Sequence, residues 1–220
     1  MESSSSYNYR LGNMNFIISY PRSGQHLIAS LLEYAAAGHG VEYSYCEFYG
    51  CCGSIPCKKG SIFMKNHDFT MTSREGIPIT PENKYLVLYR KDPILQLEAY
   101  ARYILNKKTP SLEETIQFIR KHRPKYDRFV QKWCHDSMPN VLVLDYYEFL
   151  ASPVDNMKTI FHHFYPTIQS KPEVWDTMQS QTFMVDDGRR NKIPRLIEPP
   201  RIMNPEYYQR LQDESKCKGS

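Results

Sequence analysis

The chain has 220 residues, 41% of them hydrophobic and 24% charged, which is the balance of an ordinary globular protein and excludes a disordered or fibrous one. A net charge of +4 without any block of like charge fits an anionic small molecule and argues against a nucleic-acid partner. No apolar run approaches the roughly 18 residues needed to span a bilayer, and "MESSSSYNYR" lacks the charged-then-apolar order of a signal peptide. The expectation is a cytoplasmic protein with no membrane partner.

In chain order, residues 1–13 read as a polar, flexible lead-in and 14–200 as one α/β domain. A first strand over about 14–19 runs through Tyr20-Pro21-Arg22-Ser23-Gly24 into a helix from about Gln25 to Ala36, ended by Gly38-His39-Gly40. Residues 41–60 read as irregular with one short strand, followed by the apolar run "SIFMK", Ser61–Lys65, and then Asn66-His67-Asp68. "KYLVLYRKDP" is a strand stopped by Pro93, and "ILQLEAYARYIL" has helical spacing. Ser111 and Glu114 form a capping box for a helix reaching about Cys134, with Pro124 as a kink or break. "NVLVLDYYEF" reads as another strand, and "SPVDNMKTIFHHFY" as a helix with Pro153 in its first turn. Residues 201–220 read as a polar C-terminal helix or tail.

Nearly continuous apolar strands alternating with helices predict a central, mostly parallel β-sheet with helices on both faces, entered through a P-loop-like strand-loop-helix. Ligands of such sheets sit beyond the carboxyl ends of the strands, where three groups fall: Arg22–His26, Lys65–His67 and Arg90–Lys91. The first can hold an anion on backbone N–H groups at the positive end of a helix. It lacks the lysine and hydroxyl of a magnesium-nucleotide loop, since Gln25 and His26 follow Gly24. In the second, His67 suits proton removal near neutral pH and Lys65 suits neutralising negative charge.

Tyr20-Pro21-Arg22-Ser23-Gly24, Lys65-Asn66-His67 and Arg90-Lys91-Asp92-Pro93, in that order, resemble the signature of sulfotransferases that use 3′-phosphoadenosine 5′-phosphosulfate (PAPS). "VLVLDYYEFLASPVDNMKTIFHHF" is similar to the family's later strand-and-helix unit, so the resemblance spans roughly residues 14–165. It implies sulfonate transfer from PAPS to an acceptor hydroxyl or amine, with no metal required. Arg22, Ser23, Gly24, Gln25 and His26 would hold the 5′-phosphate and sulfonate, and Lys65 would neutralise the bridging oxygen. His67 would be the general base, with Arg90 and Lys91 at the 3′-phosphate. Arg189 and Arg190, within "GRRNK", stand where the family closes over that phosphate, or form a solvated basic loop. The sequence departs from the family at Gln25, His26 and Leu27, at Lys91 in place of arginine, and at Ala99 in place of the 3′-phosphate serine. The short chain implies an open site for a small-molecule, carbohydrate or peptide hydroxyl, with Tyr43–Tyr49 as a lining or as core anchors.

Cys46, Cys51, Cys52 and Cys57 cluster with the spacing C-x4-CC-x4-C, which is not the C-x2-C pairing of zinc ribbons, so free or locally paired thiols are the expectation. Two other readings stand beside the transferase. One is a P-loop kinase or NTPase; the other is a non-catalytic nucleotide-binding module organised by zinc at the cysteine cluster.

Overall fold

The computed structural model describes residues 14–47, 51–68, 77–134, 138–180 and 203–216. Five strands are present among them: β1 (Asn15–Ser19), β2 (Tyr45–Glu47), β3 (Phe63–Asn66), β4 (Lys84–Tyr89) and β5 (Val141–Asp145). They form one sheet in the order β2-β3-β1-β4-β5, with every pairing parallel. Described helices are α1 (Gln25–His39), α2 (Pro93–Ile104), α3 (Leu112–Cys134), α4 (Tyr146–Ala151), α5 (Pro153–Phe164), α6 (Pro172–Ser180) and α7 (Pro205–Ser215).

The period of two along each strand sorts its side chains into two cores. Ile17, Phe63, Leu86 and Leu88 face one way and are covered by α1, α5 and α6, through Leu32, Phe161 and Trp175 among others. Phe16, Ile18, Met64, Tyr85 and Val87 face the other way, under α2, α3 and α7, with Leu97, Phe129, Trp133 and Leu211. Burial on both faces is why the strands read as unbroken apolar runs. The helix after β1 lies on the first face and the helices after β4 on the second. The crevice between the carboxyl ends of these neighbouring strands is therefore a topological switch point.

Local signals set the helix starts. Asp92 accepts from the backbone N of Ile94 and Leu95 ahead of Pro93, and Asn204 does the same for Glu206 and Tyr207 ahead of Pro205. The Ser111 capping box closes in both directions, Glu114 N to Ser111 Oγ at 3.2 Å and Ser111 N to Glu114 Oε2 at 2.9 Å.

Several boundaries differ from the sequence reading, among them the end of α1, which runs on to His39 and is capped by Gly40. "NVLVLDYYEF" is a strand only to Asp145, whose carboxylate accepts from Tyr147 N and Glu148 N at 2.8 and 3.1 Å and starts α4. The "SIFMK" strand begins at Phe63 and ends at Asn66. Pro124 does not break α3: Phe118 and Ile119 before it and Phe129 and Trp133 after it are buried, and that packing outweighs the roughly 3 kcal/mol cost of an interior proline. The C-terminal helix is docked: Tyr207 donates to Thr115, Tyr208 donates to Asp92, and Leu211 is fully buried. No helix among the described residues is long and apolar enough to cross a membrane.

Candidate active site

The turn between β1 and α1 carries a positive φ at Arg22 (72°) and at Gly24 (76°), with Ser23 between them outside that region. Alternation of this kind turns successive N–H groups to one side and makes a concavity for an anion. Helix α1 starts after Gly24 with no side-chain cap and no acid of its own in the first turn, so no group of the helix itself offsets its positive end. The buried amide of Gln96 braces the turn from below. It accepts from Ser23 Oγ at 2.7 Å and from Arg90 N at 3.1 Å, and donates to the carbonyl of Pro21.

On the β3 side of the turn, hydrogen bonds decide the state of His67. Gln25 Nε2 donates to Ile17 O at 2.5 Å, which fixes the amide orientation, and Gln25 Oε1 then accepts the hydroxyl proton of Ser19 at 2.9 Å. With that proton committed, Ser19 presents only acceptors to His67 Nδ1, its carbonyl at 2.8 Å and its Oγ at 3.1 Å. Nδ1 therefore carries the ring proton and Nε2 the lone pair, an assignment that follows from the network. Burial holds the His67 pKa below the ordinary imidazole value; Ser19 opposes this, while Lys65 and His26 add to it. The next residue, Asp68, is buried and anchors the strand end by accepting from Ile77 N (3.0 Å), Lys132 Nζ (2.5 Å) and Trp133 Nε1 (2.8 Å).

Lys65 joins the first turn of α1 to β2. Its Nζ donates to His26 Nε2 at 2.7 Å and to Glu47 Oε1 at 3.1 Å, and His26 Nδ1 lies 3.3 Å from the same carboxylate oxygen. Burial and the Lys65 charge lower the His26 pKa, so this ring is a neutral bridge between cation and carboxylate.

On the β4 side lies a cavity of about 560 Å³, lined by the side chains of Arg22, Arg90, Arg102, Lys107 and Lys108, with Tyr103, Tyr146 and Tyr147 among its aromatic walls. Glu98 is the one acid of the lining, and it is bonded to Arg102, with Nη2 to Oε2 at 2.6 Å. Arg90 holds the rim together. Its Nη2 donates to the Arg22 carbonyl at 3.0 Å, its Nη1 to Tyr147 Oη at 3.1 Å, and its guanidinium lies 5.0 and 5.3 Å from the ring centres of Tyr146 and Tyr147. Arg22 lies 5.3 Å from the Tyr103 ring centre. Lys107 is paired in turn with Glu114 Oε1 at 2.5 Å, so Arg22, Arg90 and Lys108 are the lining cations with no carboxylate bonded to them among the described residues. With tyrosine faces beside them, they suit a flat ring system carrying more than one phosphate.

The sequence-predicted residues thus fall on two flanks of one turn, with His26, Lys65 and His67 toward β3 and Arg22 and Arg90 toward β4. The Gln25 side chain points back into the sheet, which leaves its backbone as the group at the loop. Lys91 is exposed and absent from the cavity lining; its backbone N donates to Asp145 Oδ2 at 2.5 Å. Ala99 lies in the cavity wall, while Arg189 and Arg190 lie outside the described residues. Tyr43 and Tyr45 pack against the first core beside Phe63 and do not line this cavity. Sequence reasoning missed Arg102, Lys107, Lys108, Glu47, Tyr146 and Tyr147. The two tyrosines were findable, because they follow the last apolar strand at the same carboxyl edge as the other groups.

No protein-family model and no curated protein matches the sequence. Solved structures do match in fold. Mouse sulfotransferase SULT7A1, solved with PAP (the desulfonated donor), aligns over 92% of this chain and 83% of its own, with a TM-score of 0.54 and 15% identity. A retinol dehydratase solved with retinol and PAP aligns over 76% of this chain and 63% of its own, with a TM-score of 0.52 and 14% identity. The chain has the sulfotransferase fold.

Proposed function

We propose that the protein transfers the sulfonate group of PAPS to an acceptor hydroxyl or amine. The observation that carries this reading is the meeting of two strand ends on either side of one uncapped helix start. His67 bonds to Ser19 on one flank, and Arg90 bonds to the Arg22 carbonyl on the other. The turn between them offers N–H groups and the Arg22 charge to a 5′-phosphosulfate. The cavity beyond offers Arg22, Arg90, Arg102, Lys107 and Lys108 to the adenosine and its 3′-phosphate. Arg102, Lys107 and Lys108 supply charge where Ala99 withdraws a hydroxyl.

Nε2 of His67 accepts the acceptor's proton as its oxygen or nitrogen attacks sulfur in line and the S–O bond to the phosphate breaks. Charge then grows on the leaving phosphate, and Lys65 with the α1 N–H groups stabilises it in place. Lys65 reaches this role by exchanging its contact with His26 and Glu47 for the phosphate oxygen. The acceptor is a small molecule or a carbohydrate or peptide hydroxyl.

The test incubates the purified chain with PAPS and a panel of phenols, sugars and tyrosine peptides, with mass spectrometry of the products. A gain of one sulfonate on an acceptor is expected. Calorimetry in parallel is expected to give binding of PAP and none of magnesium-ATP. Tight magnesium-ATP binding without PAP binding would replace this reading with a kinase or NTPase, and PAP binding without turnover on any acceptor would leave a binding module.

A further inference from the structure

At the β2 edge of the sheet, Cys46, Cys51, Cys52 and Cys57 bring all four Sγ atoms within 4.8 Å of one another. Individual separations are 4.0 Å for Cys46–Cys52, 4.0 Å for Cys51–Cys57 and 3.7 Å for Cys52–Cys57. Four sulfurs at about 2.3 Å from a tetrahedral zinc stand about 3.8 Å apart, so these separations are those of a tetrathiolate metal site. They exceed the roughly 2.05 Å of a disulfide by a wide margin.

We infer that these four cysteines bind one structural Zn²⁺ ion, which staples the edge strand β2 to the segment that follows it. Four protein sulfurs fill a tetrahedral shell and leave no position for water or substrate, so the site is structural and not catalytic. Binding releases the four thiol protons and leaves a centre of formal charge 2−, beside the exposed Lys58 and Lys59. Further donors already point at the sulfurs. Ser54 Oγ lies 3.3 Å from Cys52 Sγ, and backbone groups of Lys58 and Lys59 bond to Cys52 and Cys57 respectively.

The fold gives such a staple a purpose. In the connection from β2 to β3 Cys51 is helical, while residues 52–62, which lead into β3, form neither helix nor strand. Apart from the cysteines, Ile55 and Ile62 are the only large apolar side chains of that stretch. Cys46 lies in the three-residue strand β2 and is fully buried, and Cys57 is buried with it in the second core. A metal joining strand and segment supplies the order that apolar burial there does not.

The test measures metal in the full chain, purified without metal-affinity resin, by inductively coupled plasma mass spectrometry. About one zinc per chain is expected, released by a mercurial reagent. Cys52→Ser/Cys57→Ser is expected to carry less than about a tenth of that, while Cys134→Ser, altered in a cysteine at the end of α3, keeps it. Should the double variant fail to fold, the wild-type chain decides the matter by alkylation. Cys46, Cys51, Cys52 and Cys57 are expected to resist iodoacetamide until zinc is removed with a strong chelator. Zinc below about a tenth per chain, alkylation unaffected by the chelator, iron in place of zinc, or zinc retained by the double variant would each overturn the assignment.

Discussion

His67 Nδ1 lies 2.8 Å from the carbonyl oxygen of Ser19, so the imidazole is pinned to the last residue of β1, just ahead of the Arg22 turn. Tied to the same strand that launches the Arg22 turn, the imidazole keeps a fixed distance to that turn, as its proposed role of general base requires. His67→Ala is expected to lower turnover by about a hundredfold or more, with PAP affinity unchanged. The pH dependence has a definite sign. Only neutral imidazole accepts a proton, and burial lowers the His67 pKa, with Lys65 and His26 adding to the effect. The acid limb of kcat/KM therefore falls below the ordinary imidazole value of about 6.5. A limb centred at or above that value would show that another group is being titrated.

In the proposed mechanism Gln25 acts one step behind His67. Gln25→Met keeps the shape of the side chain but removes its bonds to Ile17 and Ser19. The Ser19 hydroxyl can then rotate and donate to His67 Nδ1, which favours the other tautomer. One hydrogen bond of about 1 kcal/mol corresponds to roughly a fivefold fall in kcat, with the KM for PAPS little changed. The decisive readout is the pair of imidazole nitrogen shifts by NMR. Nδ1-protonated His67 is expected in the parent protein and a mixture in the variant, whereas an unchanged tautomer would remove Gln25 from the relay.

These two residues mark how far the sequence could be read. The sheet, the turn and the carboxyl-edge positions of Arg22, Lys65, His67 and Arg90 were legible, because apolar strand runs and strand-ending polar groups are local signals. Gln25 was legible as a loop member, but the direction of its side chain was not. That direction depends on Ile17 and Ser19, which sit in the preceding strand. Arg102, Lys107 and Lys108 were hidden for a related reason, since a basic helix end reads as an ordinary solvated face until the fold turns it toward a cavity. The grouping of the four cysteines was hidden because C-x4-CC-x4-C matches no common linear pattern, and only the fold brings their sulfurs within 4.8 Å of one another.

Asp68 supports the site from within the core. Its carboxylate is buried and shared by Lys132, Trp133 and Ile77 N, on the residue directly after His67. Asp68→Ala leaves Lys132 without its carboxylate partner and is expected to cost about 3–5 kcal/mol of stability. Urea unfolding followed by tryptophan fluorescence measures this, and a loss under about 1 kcal/mol would mean that water replaces the carboxylate at no great cost.

Arg90 and Lys91 are adjacent cations with different fates. Arg90 spans the Arg22 carbonyl and Tyr147 with its two terminal nitrogens, while the Lys91 side chain is exposed and does not line the cavity. Arg90→Lys keeps the charge but loses the fork, and is expected to weaken PAP binding about tenfold, which is about 1.4 kcal/mol. Lys91→Ala is expected to change it less than about threefold. Calorimetry on both variants checks the contrast, and a reversed order would make Lys91 the phosphate ligand.

Gly24 and Gly40 offer a matched pair for the turn itself. Both have a positive φ, 76° and 73°, so an alanine at either carries the same left-handed penalty of roughly 1–2 kcal/mol. They differ in surroundings. A Cβ at Gly40 meets nothing within 4 Å, whereas one at Gly24 would stand 2.2 Å from Cε2 of Tyr146, the ring under the Arg90 guanidinium. Gly24→Ala must therefore push Tyr146 aside and disturb the rim that Arg90 holds. Its loss of thermal stability is expected to exceed that of Gly40→Ala, and PAP binding is expected to fall at least tenfold in Gly24→Ala alone. Adding Tyr146→Ala removes the obstacle, so the double variant should regain the difference in stability between the two alanine variants. Equal losses in the two single variants would mean that the Tyr146 ring yields freely and that Gly24 serves only its backbone angle.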